Sequence, residues 1–327
     1  MVRSHEDRPG SVAIPDGTTS ELQVVDLSAV SPAELEVLWQ REEQLWRERL
    51  PWDVSDTLGA LRRVVERGGL SGKALRVAAR TVGYAYYVIV GHLGVISGLV
   101  VSPDCSVRAR RILLRETLDQ IRMARVPRIE SSFVCLDGSW LRPFFEREGF
   151  RTYWREFMRC EVRRTQDSMS TSALVQLEPL RGSDLREAAA IMLAAYNGGV
   201  DAEIGQHYRN YEGCELVLQN LLNYSGGGIP ILEASAMARH RGRGIGFIIL
   251  TEIAARQGHL PQVAVLPEYQ RQGLGRLLVS YGLSRLAEFR FDTLSLIVSQ
   301  LNRPALKMYQ VMGFRSVLSF PVFTWER

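Results

Sequence analysis

The stretch Gln270-Arg271-Gln272-Gly273-Leu274-Gly275 constrains this chain more than any other. Before it, Val263-Ala264-Val265-Leu266-Pro267 reads as a buried strand that the proline ends. After it, from Arg276 to Phe289, residues Leu277, Leu278, Tyr281, Leu283 and Leu286 recur at helical spacing. A strand that feeds a glycine-containing turn and then a helix is a phosphate cradle. Gly273 and Gly275 allow backbone conformations barred to other residues, so successive amide N–H groups can converge on one anion. The helix adds its unpaired N-terminal donors and the positive end of its dipole.

Downstream come an apolar strand, Leu294-Ser295-Leu296-Ile297-Val298, then Asn302-Arg303-Pro304-Ala305-Leu306-Lys307-Met308-Tyr309, then Gly313-Phe314. In this order the residues resemble the GNAT superfamily of N-acyltransferases. The resemblance implies an α/β fold with a mixed, mostly antiparallel sheet flanked by helices, and acetyl-coenzyme A as co-substrate. It implies that the strand bearing Val263, Ala264 and Val265 splays from its neighbour and offers backbone groups to the pantetheine arm. It puts the pyrophosphate on the backbone of Gln270, Arg271, Gln272, Gly273, Leu274, Gly275 and Arg276, with a solvated role open for the two arginine side chains. Asn302, near Ala305, either bonds the coenzyme or caps a helix, or does both. Gly313-Phe314 leads into two closing strands.

The motif region has a degraded second copy. Gly313-Phe314-Arg315 is matched by Gly149-Phe150-Arg151, a spacing of 164 residues, at which Pro267 also falls on Pro103 and Leu277-Leu278 on Leu113-Leu114. A chain of 327 residues suits two domains. Residues 1–20 read as a disordered tail, 21–163 as a first domain, 164–172 as a polar linker and 173–327 as a second domain. The second domain is expected to hold a strand over 175–180, helices over about 184–196 and 202–223, and strands near 231–239 and 244–253. The tandem architecture resembles that of mycothiol synthases.

Comparing the copies distinguishes them. Where the second has Gly273, Gly275 and Gln270, the first has Ala109, Arg111 and Ser106, and Tyr309 is replaced by Phe145. The first copy is therefore expected to be a degenerate domain that packs beside the second and walls its substrate site. Side-chain anion binding by Arg108, Arg110 and Arg111 is the rival reading.

Acyl transfer from a thioester to an amine needs a held donor, a proton acceptor for the amine and a proton donor for the thiolate. Tyr309 is the expected acid, since a phenol with a pKa near ~10 is protonated at neutral pH; a core aromatic with an idle hydroxyl is its rival. Glu252 and His259 flank a predicted hairpin and are the candidate bases, beside an unassigned water relay. Tyr196, Tyr208, Tyr211 and Glu212 are candidates for the substrate wall.

Other classes fit less well. The net charge of +4 is small, and the arginines from Arg108 to Arg128 lack interleaved aromatics, so nucleic-acid binding is disfavoured. The cysteines Cys105, Cys135, Cys160 and Cys214 lack metal-ligand spacing, so no metal is expected and reduced thiols in the cytoplasm are. The uncharged run from Tyr84 to Val101 reads as two strands and a turn at Gly91-His92 rather than a membrane helix. The expected function is acetyl transfer to a primary amine of a small molecule or peptide. A non-enzymatic acyl-coenzyme A sensor is the alternative.

Overall fold

A computed structural model of the chain describes residues 22–50, 52–78, 80–134, 136, 138–163, 175–223 and 227–327. The expected tail, the linker and Cys135 lie outside the described residues. In chain order the front half runs β1 (Leu22–Asp26), α1 (Pro32–Arg49), α2 (Ser55–Glu66), β2 (Gly72–Val77), β3 (Arg80–Val90), β4 (Leu93–Val101), α3 (Val107–Met123), β5 (Arg128–Ser132), α4 (Gly138–Arg147) and β6 (Arg151–Glu161). The rear half runs β7 (Val175–Pro179), α5 (Leu185–Tyr196), α6 (Val200–Ile204), α7 (Tyr211–Leu222), β8 (Ile229–Pro230), β9 (Ala236–His240), β10 (Arg243–Ala254), β11 (Gln257–Val265), α8 (Leu274–Glu288), β12 (Thr293–Ser299), α9 (Arg303–Val311) and β13 (Arg315–Glu326).

Local chemistry sets several of these boundaries. Ser31 and Glu34 form a reciprocal capping box at α1, with Pro32 at the first helical position. The uncharged run beginning at Tyr84 folds as β3 and β4 around a turn at 91–92. The single helix expected over 202–223 is broken. Gly205 ends α6, a 3-10 turn follows, and Asn210 restarts the chain as α7 by accepting the Gly213 N–H at 2.7 Å. The strand expected near 231–239 begins only at Ala236, after a 3-10 turn over Leu232–Ala234.

All thirteen strands of the described residues share one sheet, in the order β1-β2-β3-β4-β5-β13-β6-β12-β11-β10-β9-β7, with β8 paired to β10. Only β4·β5 and β11·β12 pair in parallel, so the sheet is mixed and mostly antiparallel. Each half is a mixed-sheet α/β unit, and the element order is the same apart from α6 and β8 of the rear half.

The end of each half departs from expectation. A single 12-residue strand, β13, follows Gly313-Phe314 where two were expected. It lies between β5 and β6 of the front half, while β6 pairs on its other side with β12 of the rear half. The halves thus exchange their closing strands, and the cores record it. Phe323 of β13 is fully buried in the front core, stacked on Phe145 with ring centres 4.1 Å apart. Met158 and Cys160 of β6 are buried in the rear core. A third cluster at the junction holds Leu50, Tyr153, Phe157, Ile204, Phe320 and Val322. No local pattern in either strand announces this register, because each strand would alternate the same way beside its own half.

Candidate active site

A cleft of about 1000 Å³ opens in the rear half where β11 parts from β12. The two strands pair in parallel from Gln257↔Thr293 to Leu260↔Leu296, after which no pairs form although both continue. Pro261 follows at once and lacks an N–H for the ladder. On the opened edge, the Val263 carbonyl accepts from the Tyr196 hydroxyl at 3.2 Å and the Val265 carbonyl from the Gln270 side-chain amide at 2.9 Å. Val263, Ala264 and Val265 all line the cleft.

The loop after β11 turns sharply into α8. Arg271 has φ +61° and Gly273 has φ +86°, so two left-handed residues bend the chain within four positions. Gly273 is the N-cap of α8, and no side chain caps the helix. The first-turn amides of the 15-residue helix therefore meet the cleft with their positive dipole end and no capping oxygen. Gly275 plays a different part from the one its sequence position suggested. It lies inside the helix with ordinary backbone angles, and the strained partner of Gly273 is Arg271. The missing side chain of Gly275 keeps the cleft floor open, with Met308 Sδ 3.7 Å from where a Cβ would stand. Gln270, Arg271, Gly273, Gly275 and Arg276 line the cleft; the side chain of Gln272 instead braces the loop by donating to the Glu268 carbonyl.

Asn302 caps α9, its Oδ1 accepting the Ala305 N–H at 3.3 Å, and both residues line the cleft. Tyr309, two turns along α9, also faces it. The ring is 6% exposed and edge-on to Phe314, and burial, with the Asp201 carboxylate as a second cause, holds the phenol well above its usual pKa.

His259 and Glu252 part company. His259 lines the cleft one step before the last β11·β12 pair, buried between the rings of Trp52 and Phe157. The Ser295 hydroxyl donates to the Gly258 carbonyl at 3.1 Å, so its oxygen accepts from His259 Nδ1 at 2.9 Å. This fixes the proton on Nδ1 and leaves Nε2 as an acceptor. Burial pushes the imidazole down to about 4, so the ring is neutral at pH 7. Glu252 lies at the β10–β11 hairpin, accepts the Arg256 N–H at 2.9 Å, and is not among the cleft-lining residues.

The expected substrate wall divides likewise. Tyr196 and Tyr208 line the cleft, their rings 4.7 Å apart, and Gln262 joins them by accepting from the Tyr196 hydroxyl and donating to the Tyr208 oxygen. Tyr211 reaches the Arg186 carbonyl instead, and Glu212 sits in the first turn of α7; neither lines the cleft.

Among the cleft residues that were not anticipated are Trp52, Arg155 and Asp201. Trp52 and Arg155 come from the front half. On β6, Tyr153, Arg155 and Phe157 share one face and meet Glu203, Asp201 and His259 in turn. A lone arginine in phase with two core aromatics is a signal the sequence carried. Asp201 is held in place by a clamp from the front half. Arg128 Nη2 donates to the carbonyls of Glu203 and Ile204, its Nε pairs with Glu130 at 2.6 Å, and its Nη1 pairs with Glu326. Glu130 in turn accepts the Gln206 N–H at 2.8 Å.

The matching region of the front half is built otherwise. The Ser106 hydroxyl caps α3 by accepting the Ala109 N–H. Arg110 folds back onto the carbonyls of Ser102, Pro103 and Cys105 and lies over the Trp140 ring. Phe145, at the position of Tyr309, is fully buried among Phe133, Phe144, Phe150 and Phe323.

Residues 208–314 match the model of the Acetyltransferase (GNAT) family. The match covers about a third of the chain. Over 75 residues the chain is 44% identical to a mycothiol acetyltransferase of Tsukamurella paurometabola, covering 22% of this chain and 26% of that protein. Over 65 residues it is 37% identical to the [ribosomal protein bS18]-alanine N-acetyltransferase of Escherichia coli K12, covering 20% of this chain and 44% of the relative. The matches thus span less than half of either relative's length. In fold, a GCN5-related N-acetyltransferase from Sphaerobacter thermophilus is similar over 96% of both chains, with a TM-score of 0.68 at 14% identity. A tandem GNAT protein from the clavulanic acid biosynthesis pathway covers 94% of this chain and 98% of its own, with a TM-score of 0.61 at 16% identity. The likeness in fold therefore runs through both halves of the chain.

Among the described residues no helix is long and apolar enough to cross a membrane, and no group of His, Cys, Asp and Glu is placed to hold a metal ion. Cys105, Cys160 and Cys214 are free and buried, and burial pushes the Cys160 and Cys214 thiols up to about 12 and 11.

Proposed function

We propose that the chain is an acetyl-coenzyme A-dependent N-acetyltransferase, acting on a primary amine of a small molecule or peptide, with its active site in the rear cleft. The observation that carries this reading is the uncapped start of α8 beside a strand edge opened at Pro261. An anionic diphosphate fits there because the first-turn amides lack other acceptors, Gly275 leaves the space, and Arg271 and Arg276 line the same end. In this reading residues 173–327 hold the catalytic machinery, 164–172 join the halves, and 21–163 form a degenerate copy that supplies part of the acceptor wall. The buried free thiols suit a reducing cytoplasm.

Bound acetyl-coenzyme A would supply an activated thioester. Val263 and Val265 would offer their edge to its pantetheine arm, exchanging the contacts with Tyr196 and Gln270, while Asn302 and Ala305 flank it. Tyr309 keeps its proton at neutral pH, so its hydroxyl can donate to the leaving sulfur. His259, neutral and with Nε2 free to accept, takes the proton of the amine directly or through water. Glu252 has no part in this chemistry.

The test is thiol release from acetyl-coenzyme A in the presence of amino acids, amino sugars, polyamines and short peptides. Release that depends on an added amine, with the N-acetyl product found by mass spectrometry, is expected. Tight acetyl-coenzyme A binding with no amine-dependent release across the panel would favour the sensor reading instead.

A further inference from the structure

Arg155 and Asp201 bring opposite charges to the acceptor end of the cleft, beside Tyr196, Tyr208 and Tyr309, and acetyl transfer as proposed above uses neither. Packing does not call for a charge at position 155, whose same-face neighbours on β6, Tyr153 and Phe157, belong to the junction core. A guanidinium there must be desolvated, at a cost of several kcal/mol unless its donors are met (roughly, for a buried ion). Arg155 meets few of them. Its Nη2 donates to Asp201 Oδ1 at 3.0 Å, whereas its Nε is buried without a partner among the described residues.

Arg155 lines the cleft with one carboxylate contact and an unpaired Nε, and a guanidinium with donors left over matches a planar two-oxygen anion. The carboxylate opposite it, Asp201, lines the same cleft as Tyr309, so it borders the place where an amine would react. Two opposite charges a salt bridge apart have the spacing of an acid and an amine on one small molecule. We propose that the acceptor is an amino-acid-type amine, whose carboxylate docks on Arg155 while Asp201 receives its ammonium group. Arg155 then determines specificity for an active site in the other half, which gives the strand exchange a functional consequence. The inference rests on the N-acetyltransferase reading.

The experiment compares each proteinogenic amino acid with its C-terminal amide as acceptor, beside calorimetry of acetyl-coenzyme A binding. For the preferred side chain, kcat/KM for the free acid should exceed that for the amide by roughly 10- to 100-fold, the range for a hydrogen-bonded charge. In Arg155→Met the ratio should fall to near unity with KM for acetyl-coenzyme A unchanged. Should that variant fail to fold, Asp201→Asn removes the charge that competes for the guanidinium, so N-acetylalanine should bind the coenzyme A-loaded protein more tightly and N-acetylalaninamide should not. Amides used as well as acids, or unchanged or weaker N-acetylalanine binding in Asp201→Asn, would overturn the proposal. So would acetylation of other amines with none of the acids, which leaves the transferase reading standing. Absence of acetyl-coenzyme A binding would sink that reading itself.

Discussion

His259→Gln should make the protein less sensitive to acid. The imidazole is buried between two aromatic rings, and burial lowers it from 6.5 to about 4. In the unfolded chain the same group titrates near 6.5. Between these values the unfolded state binds a proton that the native state refuses, so native stability falls as pH drops through the window. From pH 7 to pH 4.5 the difference in proton binding amounts to about 2.5 kcal/mol for a shift of this size. Gln can keep the hydrogen bond to Ser295 and cannot titrate, so this part of the acid loss should vanish. His207, also pushed to about 4 by burial, acts over the same window but is present in both proteins and cancels in the comparison. Urea unfolding of parent and variant at the two pH values measures the effect. Parent and variant losing stability in parallel would show that the native imidazole is solvated or already charged, and would remove His259 as a neutral proton acceptor.

Tyr309→Phe keeps the ring against Phe314 and loses only the hydroxyl, so kcat should fall by roughly 100-fold, at the low end for a general acid, while calorimetric coenzyme affinity holds; parent-level turnover would exclude the role. Gly275→Leu should leave urea stability equal or up to about 1 kcal/mol higher, because the site is helical, yet weaken acetyl-coenzyme A binding by filling the cleft floor; undiminished binding would refute the cradle geometry. Residues 173–327 expressed alone lose β6 as a partner for both β12 and β13 and expose Phe320, Val322 and Phe323, worth about 1.5–3 kcal/mol of burial each. Such a fragment should bind a hydrophobic dye and fail to bind acetyl-coenzyme A; a monodisperse, binding-competent fragment would contradict the shared sheet.

Legibility in the sequence followed range. The loop from Gln270 to Gly275, the cap at Asn302 and the ring of Tyr309 are fixed by neighbours a few residues away, so their order along the chain, set beside the family pattern, located them. Gly275 was found for the wrong reason, since a helical glycine and a left-handed one look alike in a sequence. The helix expected over 202–223 fails at Gly205, where a short break with a fresh cap preserves the apolar rhythm on both sides. Trp52 and Arg155 could not be placed in the cleft by any local pattern, because only the exchange of β6 and β13 brings the front half there. Glu252, Tyr211 and Glu212 had suitable chemistry near suitable elements. Their hydrogen bonds or positions take them elsewhere, which depends on side-chain direction rather than residue type.

The central claim is that one diphosphate-binding cradle serves the chain and sits at the start of α8. Calorimetric titration of the full-length protein with acetyl-coenzyme A tests it directly, alongside Gly273→Glu and, in the front half, Arg108→Glu at an exposed position on α3. One site per chain, lost in Gly273→Glu and untouched in Arg108→Glu with circular dichroism unchanged in both, is the predicted result. Two sites per chain, or a single site that survives Gly273→Glu, would contradict it.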